Sequence, residues 1–195
     1  MRAVHRWLIA GACAGAMLAA PIVPAQAQDA PAGPEIGSAA PDFALPAATR
    51  YGVLQEPIRL SDFAGKTVVL AFFPRARSQG CTIQMRAYRD QYADLFHSGQ
   101  DVVLIAISTD PVEDLFAWAR DEQFQFVMAS DANLDVATAY GATGARGGAT
   151  NRNLYVIAPD GTISYRATPF REIDPTAYTE LGDAISAIGN TALLE

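Results

Sequence analysis

Apolar residues in this chain form short continuous runs, separated by stretches in which apolar positions recur at helical spacing. Val68 to Phe73 is apolar throughout and Val102 to Ser108 nearly so, which is typical of strands buried on both faces of a sheet. Three shorter strands are predicted at Phe126 to Met128, Leu154 to Ile157 and Thr162 to Tyr165. The turn sequence Pro159-Asp160-Gly161 joins the last two of them into a hairpin.

Four helices are predicted between and after these strands. The first covers Cys81 to His97, and Gly99 is placed to end it. The others begin at Pro111, cover Leu134 to Tyr140, and cover Thr176 to Ile188. The resulting order β-α-β-α-β-α-β-β-α is that of the thioredoxin fold. It predicts an α/β domain whose mixed, mostly parallel central sheet is flanked by helices on both faces, with an antiparallel strand added by the closing hairpin.

The first 27 residues differ from the rest of the chain. Arg2 and Arg6 give a basic start, Trp7 to Ala20 is an apolar run, and Ala25-Gln26-Ala27 has the small-x-small pattern of a cleavage site. The run is shorter than the roughly 20 residues of a membrane-spanning helix. Residues 1–27 are therefore predicted to be a secretory signal peptide cleaved after Ala27, which implies a periplasmic or extracellular protein that is free of the membrane after cleavage.

Two alternatives remain open for this segment. One is an uncleaved N-terminal anchor, and the other is lipoprotein processing at Cys13, which Ala10 in place of the usual Leu disfavours. Residues 28–36 are rich in Ala, Pro and Gly and are predicted to form a flexible lead-in. No repeat or internal linker follows, so residues 37–190 are predicted to form one domain.

Charge narrows the classes of partner. The chain has 14 basic and 21 acidic residues, and loss of residues 1–27 removes two arginines and no acid, which leaves 12 basic residues and a net charge of −9. A surface of this sign repels nucleic-acid phosphates and anionic lipids, so neither nucleic acid nor a membrane is an expected partner.

Cleavage after Ala27 would also remove Cys13 and leave Cys81 as the only cysteine. Such a thiol is either buried and inert or reactive, and its surroundings favour a reactive one. The buried strand ends at Phe73, Pro74 cannot continue the sheet ladder, and a short loop leads to the first turn of a helix. Unpaired N–H groups at that helix end, with two loop arginines, favour the thiolate, which is the form that attacks an O–O bond.

The spacing of Pro74, Ser78 and Cys81 fits the peroxiredoxin motif P-x-x-x-[T/S]-x-x-C. On this motif and its flanks the chain resembles the peroxiredoxin family, and within it the bacterioferritin-comigratory, or Q-type, branch. The likeness covers about residues 37 to 188. The flanking matches are Ala40 to Pro46, Leu60 to Lys66, Thr82 with Arg89-Asp90, Ile107 to Asp110, and Arg152 followed by Val156 to Gly161.

The resemblance implies a thiol peroxidase that reduces hydrogen peroxide or organic hydroperoxides through a sulfenic acid on Cys81 and needs no cofactor. Pro74 would shield the sulfur from water, the Ser78 hydroxyl would hydrogen-bond the peroxide or the sulfur, and Arg152 would stabilise the thiolate and the transition state. The residues themselves leave simpler roles open: a strand stop for Pro74, a helix cap for Ser78 and a surface ion pair for Arg152.

Two positions depart from the Q-type pattern. Arg86 stands where many members have a second, resolving cysteine five residues after the first, and Gln79 stands where Pro is usual. The first departure implies a one-cysteine cycle with an external thiol or a thioredoxin-like protein as reductant, in a monomer or weak dimer. It also leaves open a loss of peroxidase activity or a changed substrate.

Other kinds of site are not indicated. After cleavage His97 is the only histidine, and one His with one Cys cannot form a zinc site. Asp131 to Asp135 begins like a calcium loop, but Val136 and Ala142 stand where that loop needs Gly and an acid, so a helix start is expected. Two further functions remain open: a mono-thiol partner in thiol–disulfide exchange with exported proteins, and a non-catalytic thioredoxin-fold binding module.

Overall fold

The structure is a computed structural model that describes residues 33–192. The predicted signal peptide, its cleavage site after Ala27 and residues 28–32 of the predicted lead-in lie outside the described residues. Within the described range the chain forms strands β1 Ala44–Leu45, β2 Ala47–Thr49, β3 Gly52–Val53, β4 Ile58–Arg59, β5 Thr67–Phe72, β6 Val102–Ser108, β7 Val127–Ser130, β8 Leu154–Ile157 and β9 Ile163–Ala167. The helices are α1 Gln79–Asp90, α2 Tyr92–Phe96, α3 Val112–Glu122, α4 Asp135–Ala139 and α5 Pro175–Ala192, with 3-10 turns at Leu60–Phe63 and His97–Gly99.

Seven of the strands form one mixed sheet in the order β3-β2-β7-β6-β5-β8-β9, while β1 pairs with β4 separately. The strands β5, β6 and β7 run parallel, as expected for strands joined through helices. The expectation of a mostly parallel sheet is wrong, because four of the six pairings in this sheet are antiparallel. The closing hairpin β8–β9 is present as predicted and pairs with β5, and a second hairpin, β2–β3, extends the other edge along β7.

The core lies on both faces of the sheet, and β5 shows how the sequence fills them. Val69 and Ala71, with Phe73 just after the strand, belong to the cluster under α1, α2, α3 and α5. Leu70 and Phe72 belong to the cluster on the other face, which α4 and the strands β1 and β4 cover. Burial on both sides explains the nearly continuous apolar run of β5 and confirms the prediction of helices on both faces.

The region predicted as one helix from Cys81 to His97 is divided. The helix α1 starts two residues earlier, covering Gln79–Asp90, and α2 resumes after a break at Gln91. The break leaves the Phe96 ring edge-on against Tyr88, with ring centroids 5.5 Å apart. Apolar residues keep helical spacing across this break, so the pattern alone could not show it.

Two arginines of α1 bind one carboxylate at the end of α3. Arg86 donates Nε and Nη2 to the Oε2 and Oε1 atoms of Glu122 at 2.9 and 2.7 Å. Arg89 donates Nη1 to the Glu122 carbonyl at 3.1 Å and to Oε2 at 3.2 Å. The Arg86 hydrogen bonds hold the pKa of Glu122 below its usual value of 4.5. Arg86, which stands where many Q-type peroxiredoxins have a resolving cysteine, thus links α1 to α3 through Glu122.

We expect Glu122→Gln to lower the free energy of unfolding at neutral pH by about 1 kcal/mol, since part of the pair is exposed to water. Folding lowers the pKa of Glu122, so its contribution is present above pH 4.5 and is lost as the pH falls through the lowered value. Urea unfolding of both proteins at about pH 7 and about pH 3 measures this difference. Free energies that converge in acid support the pairing, and a difference that persists there contradicts it.

The segment from Asp131 to Asp135, rejected as a calcium loop, leads into α4. The Asp131 carboxylate accepts hydrogen bonds from the N–H groups of Val136 and Ala137 at 3.3 and 2.7 Å. Asp131 thereby accepts from N–H groups in the first turn of the helix, which have no acceptor within the helix itself. The predicted helix start is confirmed.

The domain makes contacts slightly before its predicted boundary. Arg166 of β9 donates to the Pro34 carbonyl at 3.3 Å and pairs with Glu35 at 3.0 Å. The last residues of the predicted lead-in are therefore bound to the sheet. Within residues 33–192, no helix combines the length and the apolar character needed to cross a membrane.

Candidate active site

Cys81 lies where β5 passes into α1. The strand ends at Phe72, residues 73–78 form the connecting loop, and the helix starts at Gln79. Cys81 is therefore in the first turn, as predicted, where backbone N–H groups lack partners within the helix. Its side chain is fully buried, at 0% exposure. The thiol thus lies at the positive end of a helix and away from bulk water.

Hydrogen bonds from neighbouring strands fix the loop that precedes the cysteine. Asp110, just after β6, accepts from the Ala76 N–H at 2.7 Å and from the Ser108 hydroxyl at 2.8 Å. Thr150, before β8, donates its hydroxyl to the Phe73 carbonyl at 2.6 Å. Because β5 and β6 are parallel, their carboxyl ends meet here, and the site lies at that edge of the sheet.

The Arg152 guanidinium contacts the sulfur directly. Its Nη2 donates to Cys81 Sγ at 3.4 Å, although 71 positions separate the two residues in the sequence. Arg152 comes just before β8, which pairs with β5, so the sheet brings it to the cysteine. A guanidinium keeps its proton in proteins, so it holds a permanent positive charge beside the sulfur. This arrangement stabilises a thiolate and negative charge that develops next to it.

Gln84 supports the same guanidinium from α1. It is fully buried one turn after Cys81, and its Oε1 accepts from Arg152 Nη1 at 2.6 Å. Its Nε2 donates to the Tyr88 hydroxyl at 2.9 Å, which fixes the orientation of the amide. Burial raises the pKa of Tyr88 well above its usual value of 10.0, so the phenol stays neutral.

Glu172 binds a further edge of this guanidinium. Its Oε2 lies 3.2 Å from Arg152 Nε, and both side chains are mostly buried, with 14% of Arg152 and 23% of Glu172 exposed. Gly80 lies against the pair, because a Cβ atom at this position would be 2.7 Å from Glu172 Oε1 and 3.1 Å from Arg152 Nη2. Glycine therefore leaves the space that the ion pair occupies beside Cys81.

Pro74 takes a position that fits its simpler role as a strand stop, whereas the Ser78 side chain makes no capping hydrogen bond to α1. Pro74 is half-buried at the start of the loop, beside Asp110 in a surface cleft. Ser78 is the N-cap residue of α1 by position, but its hydroxyl donates to the Arg75 carbonyl at 3.0 Å instead of to Cys81. The roles of Pro74 and Ser78 toward a bound peroxide stay predictions.

Arg77, one of the two loop arginines expected beside the sulfur, binds α3 instead. Its backbone is left-handed, with φ at 61°, and its Nη2 lies 2.6 Å from Asp121 Oδ2. Arg75, the other loop arginine, is exposed. The positive charge at Cys81 therefore comes from Arg152 and the end of α1.

Sequence reasoning identified Cys81 and Arg152 but missed Gln84 and Glu172. A signal existed for Gln84, since it follows Cys81 by three positions and so shares its face of the helix. Glu172 lies in the irregular segment between β9 and α5, where no periodic pattern indicates which side chains face inward. Its contact with Arg152 depends on how that segment packs.

The groups that meet at this site suit nucleophilic chemistry at sulfur. They are a buried thiol, a guanidinium, an amide and a carboxylate, of which the thiol, once ionised, is the strongest nucleophile. Within residues 33–192, no three His, Cys, Asp or Glu side chains converge as metal ligands would. The site combines an attacking atom with a fixed positive charge beside it.

Comparison with known proteins identifies the family of the chain. The model of the AhpC/TSA family matches residues 36–166. The chain belongs to the AhpC/TSA, or peroxiredoxin, family. Peroxiredoxin Bcp of Escherichia coli K12 is 34% identical to it over 141 residues, which cover 69% of this chain and 86% of that protein. This likeness confirms the predicted resemblance to the bacterioferritin-comigratory branch of the peroxiredoxins.

Solved peroxiredoxin structures share the fold. Peroxidoxin BcpB from Mycobacterium tuberculosis matches with a TM-score of 0.67 at 28% identity, covering 78% of this chain and 97% of that chain. AhpC from Enterococcus faecalis matches with a TM-score of 0.69 at 21% identity, covering 80% of this chain and 93% of that chain. The predicted thioredoxin-like α/β fold is confirmed, and membership of the family makes this peroxiredoxin a thiol peroxidase, as predicted.

Proposed function

We propose that this peroxiredoxin reduces hydrogen peroxide or organic hydroperoxides through Cys81 alone, in a one-cysteine cycle that an external thiol completes. The observation that carries the proposal is the 3.4 Å contact between Arg152 Nη2 and the buried Cys81 Sγ. It supports a thiolate at the one cysteine within residues 33–192.

In the first step the Cys81 thiolate attacks one oxygen of the peroxide. An S–O bond forms and the O–O bond breaks, so sulfur is oxidised to a sulfenic acid. The other oxygen takes up a proton and leaves as water or as an alcohol. Negative charge moves from sulfur toward that leaving oxygen, and the Arg152 guanidinium is positioned to stabilise it.

Two external thiols then return Cys81 to its reduced state. The first condenses with the sulfenic acid, which releases water and forms a mixed disulfide. The second attacks this disulfide, frees the Cys81 thiolate and leaves as the disulfide of the reductant. Burial favours a small thiol in these steps, whereas a thioredoxin-like protein would supply both thiols itself only after Cys81 becomes accessible.

Arg86 supports the one-cysteine form of the cycle. Its guanidinium is bound to Glu122, so an ion pair occupies the position at which relatives of the Q-type carry a resolving cysteine. Direct reaction between the Cys81 residues of two subunits is disfavoured, because the sulfur is fully buried. We therefore propose a monomer or weak dimer in which recycling needs no partner subunit.

Burial also favours peroxide reduction over thiol exchange with exported proteins. A protein disulfide must bring its own sulfur into line with the attacking thiolate, which is hard at a side chain with 0% exposure. A peroxide presents a much smaller reacting group. The contacts that hold Arg152 at the sulfur also have no evident use in a non-catalytic binding module.

We further propose that the protein is exported. The basic residues Arg2 and Arg6, the apolar run after them and the Ala25-Gln26-Ala27 site support a signal peptide cleaved after Ala27. The acidic balance of the remaining chain supports small, uncharged substrates over nucleic acid or anionic lipid as partners.

Peroxide consumption by the purified protein tests the proposed function. With an excess of a small monothiol, such as 2-mercaptoethanol, we expect many molecules of hydrogen peroxide to be consumed per protein, because each cycle regenerates the thiolate. Protein whose Cys81 has been blocked with iodoacetamide is the control and should be inactive. Turnover without added thiol would contradict the external reductant, and no consumption in its presence would contradict the peroxidase.

A further inference from the structure

Each of the three nitrogen atoms of the Arg152 guanidinium has a partner. Its Nη2 donates to Cys81 Sγ at 3.4 Å, its Nη1 donates to Gln84 Oε1 at 2.6 Å, and its Nε lies 3.2 Å from Glu172 Oε2. Glu172 alone among these partners is a carboxylate. It also approaches from a different element, the segment between β9 and α5, whereas Gln84 and Cys81 both belong to α1. The Glu172 carboxylate therefore restrains Arg152 from outside α1.

The backbone on either side of this ion pair is tied together. Phe170, at 1% exposure, donates its N–H to the Arg152 carbonyl at 2.6 Å. Tyr178 packs edge-on against Phe170, with ring centroids 5.2 Å apart, and donates its hydroxyl to the Glu172 carbonyl at 2.8 Å. Burial raises the pKa of Tyr178 to about 12, so this donor keeps its proton at neutral pH. These contacts fix the backbone position of Glu172.

The Glu172 carboxylate also lies close to the turn that bears the reactive sulfur. Its Oε1 would be 2.7 Å from a Cβ atom at Gly80, so it packs directly on the first turn of α1. Of the charged side chains on either side of this turn, Arg77 pairs with Asp121 and Arg86 with Glu122. Arg152 and Glu172 form the ion pair that lies against Gly80, next to Cys81.

We propose that Glu172 is a positioning residue for the reaction of Cys81: its carboxylate holds the Arg152 guanidinium against the sulfur. This role rests on the peroxidase function proposed above, and it acts through Arg152 without contact between Glu172 and peroxide. When the carboxylate is removed, Arg152 keeps its Gln84 contact but loses the partner that fixes Nε. The guanidinium then spends less time at the distance that stabilises the thiolate and the transition state.

Two variants separate position from charge. Glu172→Gln removes the negative charge but keeps a side chain of the same length with an oxygen atom beside Arg152 Nε, whereas Glu172→Ala removes both. We expect the rate constant for Cys81 oxidation by hydrogen peroxide to fall about tenfold in the alanine variant. In the glutamine variant we expect it to stay within about threefold of wild type. Glu180→Ala is the control, since it removes an exposed ion pair with Arg171, the residue before Glu172. This variant should leave the rate unchanged.

The pH profile of Cys81 alkylation by iodoacetamide gives a readout that a merely structural role would not move. Both Glu172 variants lack the carboxylate. A difference between their pH profiles therefore reports how well the side chain at position 172 keeps Arg152 in place, and not the loss of the negative charge. We expect the midpoint of the alanine variant to lie at higher pH than that of the glutamine variant, because a mobile guanidinium stabilises the thiolate less. This assay uses no peroxide, so it does not depend on the peroxidase function.

The outcomes decide between the alternatives. A slower alanine variant, a rescued glutamine variant and separated alkylation midpoints support positioning by Glu172. Equal rates and coincident midpoints in the two variants overturn it, as does an alanine variant that matches wild type in both assays. Wild-type protein that does not react with peroxide would overturn the peroxidase function, and the alkylation comparison would still decide the role of Glu172.

Discussion

Replacing Cys81 by serine is expected to abolish peroxide consumption. The alcohol of serine does not ionise at neutral pH, even beside Arg152 and the end of α1, so no nucleophile would remain to attack the O–O bond. Serine is close in size to cysteine, so the buried site should keep its shape. Peroxide loss with 2-mercaptoethanol as reductant, followed against the uncatalysed rate, measures the effect.

Cys13 provides the matched control for this experiment. It is the other cysteine of the sequence and belongs to the segment proposed to be cleaved as a signal peptide. In protein produced with residues 1–27 retained, Cys13→Ser should leave peroxide consumption at the wild-type rate, because Cys81 is the proposed reacting group. If the Cys81→Ser protein still consumed peroxide at that rate, Cys81 would not be the reacting group and the proposed mechanism would be wrong.

Loss of the Arg152 guanidinium is expected to produce the second largest effect. Arg152→Ala should slow the oxidation of Cys81 by peroxide about a hundredfold or more, the usual cost of removing a group that stabilises transition-state charge. The variant also leaves the buried Gln84 amide and the Glu172 carboxylate without their shared partner. Stopped-flow measurement of the rate over a series of peroxide concentrations gives the second-order constant.

Two further variants interpret that result. Arg152→Lys keeps a positive charge but cannot reach three partners with one planar fork, so its rate should fall between those of wild type and Arg152→Ala. Arg166→Ala removes an arginine of β9 that pairs with Glu35 and should leave the rate unchanged. An Arg152→Ala protein within about threefold of wild type would show that the contact with Cys81 does not assist the reaction.

The parts of the fold that sequence patterns predicted best are those buried on both sides. The strands β6 and β8 have the predicted bounds, Val102–Ser108 and Leu154–Ile157, because their apolar runs end where burial ends. The N-terminal strands β1 to β4 were not predicted. Each contains only two or three residues, too few for a period of two to be recognised. Of these four strands, β2 and β3 add two antiparallel pairings to the sheet, β2–β3 and β2–β7, while β1 and β4 pair outside it.

The candidate site was predictable where a motif or a helix position carries the chemistry. Cys81 follows from its place after β5 and at the start of α1, and Arg152 from the resemblance to the family's late arginine before Val156 to Gly161. The contact between Glu172 and Arg152 was not predictable, because Glu172 lies 20 positions after Arg152, in an irregular segment. The ion pair between Arg77 and Asp121 was not predictable either, because the sequence does not show that the backbone of Arg77 is left-handed.

Overoxidation of Cys81 would be the clearest sign of the proposed one-cysteine cycle. Once Cys81 is a sulfenic acid, no second cysteine within residues 33–192 can trap it as an intramolecular disulfide. Arg86, in the resolving position, is bound to Glu122 and has no redox chemistry. Without an external thiol, further peroxide should therefore oxidise Cys81 to the sulfinic and then the sulfonic acid.

Intact-mass measurement after titration with peroxide, in the absence of reductant, tests this account most directly. We expect a monomer that gains two and then three oxygen atoms, and tandem mass spectrometry should locate them on Cys81. Added 2-mercaptoethanol should prevent these gains by intercepting the sulfenic acid. A disulfide-linked dimer would contradict the one-cysteine cycle, and an unmodified Cys81 thiol after excess peroxide would contradict the peroxidase mechanism itself.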